Sequence, residues 1–295
     1  MSKAYLFPGQ GSQFVGMGKD LYESNPEAAK YFDEADEILG FSLKEIMFEG
    51  PEEKLKQTEF TQPAIFLHSV ALFKTLDTNP DMVAGHSLGE FSALVASGAV
   101  SFEDALRIVR RRGELMQQAG EQNPGTMAAV IGMDDEAVEN VCAEAAEASG
   151  KEVIAANYNC PGQLVISGYK EAVEKAVELA KENGARLAKL LPVSGAFHSS
   201  LMQPAYDGLK EQLEQLEISE PICPIYSNYT AEATTDTEEI RSNLLNQLLN
   251  PVRWTQTLNN MSENGADSFI EMGPGKVLQG LVKRTLKGVE ISGHQ

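Results

Sequence analysis

The chain has 295 residues, of which 42% are hydrophobic, and a formal net charge of −19 at pH 7. This length fits one large domain with an insert or two domains, and the acidic balance disfavours nucleic acid and anionic membranes as partners. No apolar run approaches a membrane span and no signal peptide is evident, so a cytoplasmic location is expected. The scattered cysteines Cys142, Cys160 and Cys223 predict neither a disulfide framework nor a metal site.

The first 124 residues have the alternating strand and helix signals of an α/β domain. A short apolar run at 4–7 ends at Pro8-Gly9 and predicts a strand, and a second strand is expected at 82–84. Helical patterns cover 26–39 and 62–76. Ser101, followed three residues later by Asp104, predicts the N-cap of a helix that ends near Gln118.

The pattern changes between residues 125 and 192. Strand signals at 127–131, 152–156, 163–166 and 186–191 alternate with helical signals at 134–148 and 169–182. Because the order β-α-β-β-α-β is that of a ferredoxin-like unit, residues 125–192 are predicted to form a small inserted domain.

The α/β pattern resumes after Pro192. Helices are expected at 203–217, 237–249, 252–263 and 276–287, and strands at 223–227 and 267–271. Residues 1–124 and 193–295 are therefore predicted to form one discontinuous large domain with a parallel sheet.

The segment Gly85-His86-Ser87-Leu88-Gly89-Glu90 has the layout of a nucleophile elbow. It follows an apolar strand and precedes a helical pattern, so a sharp turn would expose the Ser87 hydroxyl at the carboxyl end of the strand. The flanking glycines give the crowded turn room, and the N–H of Leu88 is placed to stabilise an oxyanion. This motif makes the large domain α/β-hydrolase-like. A plain Gly-Ser turn is the alternative, because G-x-S-x-G also occurs by chance.

A serine nucleophile needs a base, and His198 is the best placed of the four histidines. His68 lies in a helical pattern, His86 adjoins Ser87 and should point away from it, and His294 is next to the terminus, where order is doubtful. His198 lies on a loop where the chain re-enters the large domain, from which it could reach Ser87. A structural role is the alternative for a lone histidine.

Arg112 occupies the apolar stripe of the helix that follows Ser101. It lies four residues after Ile108 and three before Leu115, so its guanidinium should be buried. A buried guanidinium needs an anion. The spacing leaves open whether this anion is a structural carboxylate or the carboxylate of a substrate.

Five segments carry a resemblance to a known family, and they occur in order. They are the glycine-rich turn Phe7-Pro8-Gly9-Gln10-Gly11-Ser12-Gln13, the Ser87 elbow, Arg112-Gly113 with Met116-Gln117, Phe197-His198, and the stretch from Gln247 to Pro251. In this combination the whole chain resembles the malonyl-CoA:acyl carrier protein transacylases of bacterial fatty acid synthesis. The glycine-rich turn is not a dinucleotide-binding fingerprint, but it could bring a second N–H beside the elbow.

The resemblance implies a catalytic role for five positions. Ser87 would be the acylated nucleophile and His198 its base. The main-chain carbonyl of Gln247 would accept the other imidazole N–H, in place of a triad aspartate. The N–H groups of Gln10 and Leu88 would form the oxyanion hole.

The resemblance also implies the substrate contacts. Arg112 would bind the malonyl carboxylate, and Met116 and Asn159, the latter on a loop of the small domain, would touch the substrate, as would Gln10. Phe197 stands in a Gly-Ala-Phe-His segment similar to that of malonyl-specific polyketide acyltransferase domains. Its ring would leave no room for a branched acyl chain.

The implied reaction moves a malonyl group from malonyl-CoA to holo-acyl carrier protein through a malonyl-serine, which supplies fatty acid synthesis. The protein itself would hold no cofactor and no metal, because the phosphopantetheine belongs to the carrier protein. The alternatives are a malonyl-specific acyltransferase acting in trans in polyketide synthesis, a serine esterase or thioesterase, and a non-catalytic binding module.

A carrier protein is expected to be acidic, as this chain is, so it would need a local basic patch for transient docking. Two groups are candidates, namely Arg107, Arg110 and Arg111 on one helix, and Lys276, Lys283, Arg284 and Lys287 near the C-terminus. Scattered solvated charges are the alternative. A monomer is the expected state.

Overall fold

The computed structural model describes residues 2–76, 78–193 and 195–295, which form two β-sheets surrounded by helices. The first part of the chain contains β1 (Ser2–Phe7), α1 (Lys19–Ser24), α2 (Pro26–Leu39), α3 (Leu43–Glu49), α4 (Glu52–Leu55), α5 (Thr58–Lys74), β2 (Met82–Gly85), α6 (Gly89–Ala96) and α7 (Phe102–Gln122). The middle part contains β3 (Gly125–Ile131), α8 (Asp135–Ser149), β4 (Val153–Cys160), β5 (Gln163–Tyr169), α9 (Lys170–Glu182) and β6 (Leu187–Leu190). The last part contains a 3₁₀ turn (Ser200–Met202), α10 (Gln203–Gln215), β7 (Ile225–Tyr226), β8 (Ala233–Thr234), α11 (Thr237–Asn246), α12 (Trp254–Glu263), β9 (Ala266–Met272), α13 (Val277–Thr285) and β10 (Glu290–His294).

The six-stranded sheet has the order β10-β9-β1-β2-β7-β8. Its strands are parallel except for β8, which runs antiparallel to β7. The register pairs Phe7, the last residue of β1, with Gly85, the last residue of β2. The turn after β1 and the elbow after β2 therefore emerge side by side at the carboxyl edge of the sheet, where α/β proteins build their sites.

Helices α5 and α7 carry side chains to this edge from the outside of the sheet. The whole stretch of α5 from Thr61 to Phe73 is buried, which matches its almost uninterrupted apolar sequence. Helix α7 begins as predicted, because the Ser101 side chain accepts a hydrogen bond from the Asp104 N–H. It ends at Gln122 rather than near 118.

The four-stranded sheet has the order β4-β5-β3-β6 with antiparallel neighbours. This is the strand order of a ferredoxin-like unit, and the predicted fold class is confirmed. One detail was wrong: Asn159 lies inside β4 rather than in a loop, because the ladder continues to the pair Cys160 and Gln163. The turn consists of Pro161 and Gly162 alone, and Gly162 has a positive φ of 73°.

Main-chain hydrogen bonds join the small sheet to the rest of the molecule. The Val252 N–H donates to the Ala156 carbonyl at 2.8 Å, and the Tyr158 N–H donates to the Val252 carbonyl at 2.9 Å. The Thr255 hydroxyl adds a bond to the Tyr158 carbonyl at 3.1 Å. The segment that precedes α12 thus extends the edge of β4, and the small sheet has a fixed position over the large one.

Some elements are too short or too exposed to be recognised in the sequence. They are α1, α3, α4, β8 and β10. Strand β10 pairs His294 with Met272, so this histidine, whose order the sequence leaves in doubt, lies in a strand. In the described part of the chain no helix has the length and apolar character needed to cross a membrane. The three cysteines are buried and unpaired.

Candidate active site

The elbow at 85–90 has the strained geometry of a nucleophile turn. Ser87 has a φ of 51°, which a residue with a side chain adopts only where its surroundings enforce it. A Cβ on Gly85 would lie 1.8 Å from the carbonyl carbon of Gly89, and a Cβ on Gly89 would lie 2.1 Å from the Phe7 oxygen. Close backbone packing therefore requires both glycines and pushes the Ser87 side chain out of the turn.

Ser87, His198 and Gln247 form a hydrogen-bonded chain. The Ser87 Oγ lies 2.9 Å from the His198 Nε2, and the His198 Nδ1 lies 2.8 Å from the Gln247 carbonyl oxygen. Because a carbonyl only accepts, Nδ1 carries the proton and Nε2 is free to take the proton of the serine. Desolvation, reinforced by the charge of Arg112, lowers the pKa of His198 to about 3. The imidazole is thus a neutral base in the unliganded protein.

The predicted burial of Arg112 is correct, since its relative exposure is 1%. Its guanidinium donates to the Gln62 Oε1 at 2.7 Å, to the Gln247 Oε1 at 2.9 Å and to the Ser87 Oγ at 3.1 Å. Its Nε has no partner among the described residues. Burial lowers the pKa of Arg112 to about 10, so the group still carries a positive charge at neutral pH.

No carboxylate forms an ion pair with Arg112 in the described part of the chain. Its direct partners are two amide oxygens and the hydroxyl of the predicted nucleophile. The charge of Glu90 is near enough to oppose the lowering of the Arg112 pKa by burial, but the Gln247 amide hydrogen-bonds to both groups and so links them. Since amides offset a full charge incompletely, this guanidinium can accept an anion beside Ser87.

A cavity of about 240 Å³ opens onto the Ser87 hydroxyl. It lies between the carboxyl edge of the large sheet and strands β3, β4 and β5 of the small sheet. The turn after β1 lines it with Gln10, and the elbow lines it with Leu88. Neither of these two residues donates its main-chain N–H to an acceptor among the described residues, which leaves both free for an oxyanion.

Three more of the five predicted substrate contacts line this cavity, in addition to Gln10. They are Met116, Asn159 and Phe197. The Asn159 Oδ1 lies 2.8 Å from the His86 Nε2, so the small sheet contacts the elbow directly. His86 makes no hydrogen bond to Ser87 in the described structure, and its ring packs against Trp254 with 5.3 Å between centroids. No group of three or more His, Cys, Asp or Glu side chains in the described ranges is arranged to hold a metal ion.

Three residues of the site were missed in the sequence, namely Gln62, Glu90 and Asn228. Gln62 had a signal, because it is a lone amide in the apolar helix α5 and is 1% exposed. Glu90 and Asn228 follow recognisable strands but gave no separate signal. The Asn228 Oδ1 accepts from the Ser87 N–H at 2.6 Å, and its Nδ2 donates to the Gly85 carbonyl at 2.7 Å. The Asn228 side chain therefore holds the backbone of the elbow with two hydrogen bonds.

The two candidate basic patches differ in the structure. On α7, Arg107, Arg110 and Arg111 all form ion pairs with glutamates of the chain. The second group has no ion pair in the described residues, and Arg284 lines the cavity, where its guanidinium contacts the Gln163 side chain. The C-terminal group is therefore the one with cations available to a partner.

The sequence and the structure are similar to those of known acyltransferases. A family model described as an acyl transferase domain matches residues 4–293. The malonyl CoA-acyl carrier protein transacylase of Bacillus subtilis (strain 168) is 51% identical over 299 residues, which cover 99% of this chain and 94% of that protein. The crystal structure of an acyl carrier protein S-malonyltransferase from Vibrio cholerae matches with a TM-score of 0.95 at 46% identity, and covers 100% and 97% of the two chains.

A further solved structure was determined with a partner bound. It is a malonyl-transacylase in complex with a type II PKS acyl-carrier protein, and it matches with a TM-score of 0.95 at 42% identity over 99% of this chain and 95% of that one. The resemblance stated from the sequence motifs is thereby confirmed. The chain belongs to the acyl transferase family and is an acyltransferase.

Proposed function

We propose that this protein transfers a malonyl group from malonyl-CoA to the phosphopantetheine thiol of acyl carrier protein through a malonyl ester of Ser87. The observation that carries the proposal is the guanidinium of Arg112, which is 1% exposed, lies 3.1 Å from the Ser87 Oγ and has no carboxylate bonded to it in the described residues. An acyl group on Ser87 would place a free terminal carboxylate within its reach. The names of the relatives agree with this substrate.

The first half-reaction acylates Ser87. As the Oγ attacks the thioester carbon, its proton moves to the His198 Nε2, and the N–H groups of Gln10 and Leu88 stabilise the oxyanion. The carbon–sulfur bond then breaks, and His198 gives the proton to the leaving thiolate of coenzyme A, which departs as the thiol. The Gln247 carbonyl holds the imidazole in the required tautomer, at 2.8 Å from Nδ1.

The second half-reaction repeats these steps with a different nucleophile. The phosphopantetheine thiol gives its proton to His198, its sulfur attacks the ester carbon, and the Ser87 Oγ leaves and takes the proton back. Side chains and main-chain groups of this protein supply every acid, base and oxyanion donor in these two half-reactions. The protein therefore needs no cofactor of its own in this mechanism.

Arg112 also accounts for the choice of acyl group. A malonyl carboxylate adds a charge-assisted pair to the weak amide contacts of the guanidinium. An acetyl group leaves the buried cation as it is, which should produce strong rejection of acetyl-CoA. Phe197 is 6% exposed and lines the same cavity, so it limits the space for a branch on the acyl chain.

The cellular setting is part of the proposal. We infer a monomer that acts in the cytoplasm, with which three buried, unpaired cysteines agree, and whose product supplies fatty acid synthesis. Holo-acyl carrier protein would dock transiently on the C-terminal basic group. Supply of a polyketide synthase is the second candidate, favoured by the similar malonyl-transacylase bound to a type II PKS acyl-carrier protein.

Intact-protein mass spectrometry tests the reaction. After mixing with malonyl-CoA, the protein should gain the mass of one malonyl group on Ser87 and lose it when holo-acyl carrier protein is added. The Ser87→Ala variant should gain nothing. An adduct that decays rapidly without any thiol would indicate an esterase, and the absence of an adduct in the unmodified protein would indicate a binding module.

The Arg112→Ala variant tests the substrate assignment. Malonyl transfer should fall by about 10²-fold or more, while acetyl transfer should fall less or rise, because the buried cation no longer rejects an uncharged acyl group. The measurement is kcat/KM with each acyl-CoA. Arg110→Ala is the matched control, since Arg110 lies on the same helix but pairs with Glu59 and Glu114. An unchanged malonyl:acetyl ratio in Arg112→Ala would remove Arg112 from the assignment.

A further inference from the structure

Glu90 takes no part in the two transfer steps, although its carboxyl group is buried in the site. Glu90 lies one helical turn after Ser87 and is 2% exposed. Its Oε1 accepts from the Asn228 N–H at 2.9 Å, and its Oε2 accepts from the Gln247 Nε2. Burial raises the pKa of Glu90, whereas these two donors and the charge of Arg112 oppose that rise. Both oxygens of the group thus face N–H donors.

The contact with Glu90 decides which way the Gln247 amide points. The Gln247 Nε2 faces Glu90 and also donates to the Ser87 carbonyl at 3.0 Å. The Oε1 on the opposite side of the amide accepts from the Arg112 Nη2 at 2.9 Å. When Glu90 is a carboxylate, a flipped amide would place its oxygen against two acceptors and its NH₂ against the guanidinium, so every one of these contacts would be repulsive.

We propose that Glu90 is a positioning residue, which fixes the Gln247 amide so that its oxygen holds Arg112 beside Ser87, and that it thereby sets the preference for an acyl group bearing a carboxylate. This inference rests on the proposed malonyl transfer. Glu90 acts through Gln247 and touches neither the acyl group nor the reacting atoms.

The isosteric variant Glu90→Gln makes a specific prediction because its own orientation is fixed. The Asn228 main-chain N–H cannot flip, so the oxygen of the new amide must face it. The new NH₂ group must then face Gln247, where it meets another NH₂ group. The Gln247 amide either flips, which turns its NH₂ group toward Arg112, or loses its contact with the side chain at position 90. In both cases Arg112 loses an acceptor.

The experiment compares acylation of Ser87 by malonyl-CoA and by acetyl-CoA, together with thermal unfolding. In Glu90→Gln, kcat/KM for malonyl-CoA should fall because KM rises. The malonyl:acetyl ratio of kcat/KM should fall by about tenfold or more, which is the effect of one hydrogen bond to a charged group.

Glu90→Asp keeps two acceptors and should retain more of the ratio. Gln247→Leu keeps the main-chain carbonyl for His198 but removes the acceptor for Arg112, so it should lower the ratio by a similar factor. Adding Glu90→Gln to it should lower the ratio little further.

Glu271→Gln is the matched control for burial. Glu271 is 1% exposed and its carboxyl oxygens accept from the N–H groups of Leu278 and Gln279. This variant should lower stability without changing the malonyl:acetyl ratio. The inference is overturned if Glu90→Gln keeps the ratio, or lowers both rates equally, while the unmodified protein transfers malonyl. If the unmodified protein transfers no malonyl group, the proposed function fails instead.

Discussion

At the scale of single residues, the site joins a base and a cation that disfavour each other's charge. His198 and Arg112 both contact the Ser87 Oγ, at 2.9 and 3.1 Å. Protonation of His198 is required during the reaction, yet the neighbouring guanidinium opposes it and helps to lower its pKa to about 3. A substrate carboxylate that pairs with Arg112 would remove most of this repulsion.

This arrangement predicts a pH dependence that differs between the free and the loaded enzyme. The neutral imidazole is the active form, so the acylation rate is lost as pH falls through the pKa of His198. For kcat/KM, which reports the free enzyme, the acid limb should lie well below the ordinary histidine value of 6.5. At saturating malonyl-CoA, the acid limb of the acylation rate constant should lie at a higher pH. The bound carboxylate offsets the charge of Arg112, so it raises the pKa of His198.

Single-turnover acylation measured against pH checks this expectation. The measurements belong in the pH range where circular dichroism shows the protein folded. Acetyl-CoA is the matched control, because it brings no carboxylate and its two limbs should coincide. With malonyl-CoA, an acid limb near pH 6.5 for both kcat/KM and the acylation rate constant at saturation would contradict the expectation.

The site residues that can be recognised in the sequence are those within local motifs. Ser87 sits between glycines, and Arg112 breaks an apolar helical stripe, so each has an unusual neighbourhood along the chain. Glu90 and Asn228 are unusual only in three dimensions, since they meet across 138 positions of sequence. No periodicity encodes such a pairing, and it can be recognised only after the strands are placed.

At the scale of elements, the same distinction separates predictable from unpredictable structure. Helix α2 spans Pro26–Leu39 as predicted, because Asn25 caps its start, proline occupies the first turn and Gly40 ends it with a φ of 73°. Strand β10, in contrast, is mostly exposed and has no apolar alternation. It forms because β9 offers a parallel edge to it, which is a tertiary cause.

The elbow is the element whose geometry tolerates least change. Gly85→Ala and Gly89→Ala each place a Cβ within 2.1 Å of backbone atoms, so each should lower the free energy of unfolding by about 3 kcal/mol or more and abolish Ser87 acylation. Gly280→Ala, on helix α13, is the control, since nothing lies within 4 Å of its Cβ. It should be neutral or stabilising by up to about 1 kcal/mol. Chemical denaturation and the Ser87 adduct provide the measurements, and wild-type acylation in Gly85→Ala would show that the turn is less constrained than described.

At the scale of the whole molecule, charge is distributed unfavourably for an acidic partner. The net charge is −19, so long-range attraction cannot bring an acidic carrier protein to the cleft. The cations of α7 are paired with glutamates of the chain. Lys276, Lys283, Arg284 and Lys287 lie on or next to α13, without ion pairs in the described residues, and Arg284 lines the cavity.

Charge reversal in this group should separate docking from substrate binding. Lys283 is exposed and does not line the cavity, whereas Arg284 does line it. Lys283→Glu should therefore raise KM for holo-acyl carrier protein by roughly 3- to 10-fold and leave KM for malonyl-CoA unchanged. Arg284→Glu should raise both KM values, because coenzyme A and the carrier arm enter the same cavity.

Lys210→Glu on α10 is the control. It changes the net charge equally at an exposed position away from the cavity. Equal effects of Lys283→Glu and Lys210→Glu on the carrier protein KM would place the docking surface elsewhere, and the increase caused by Lys283→Glu should shrink as salt is added, since exposed charges are screened.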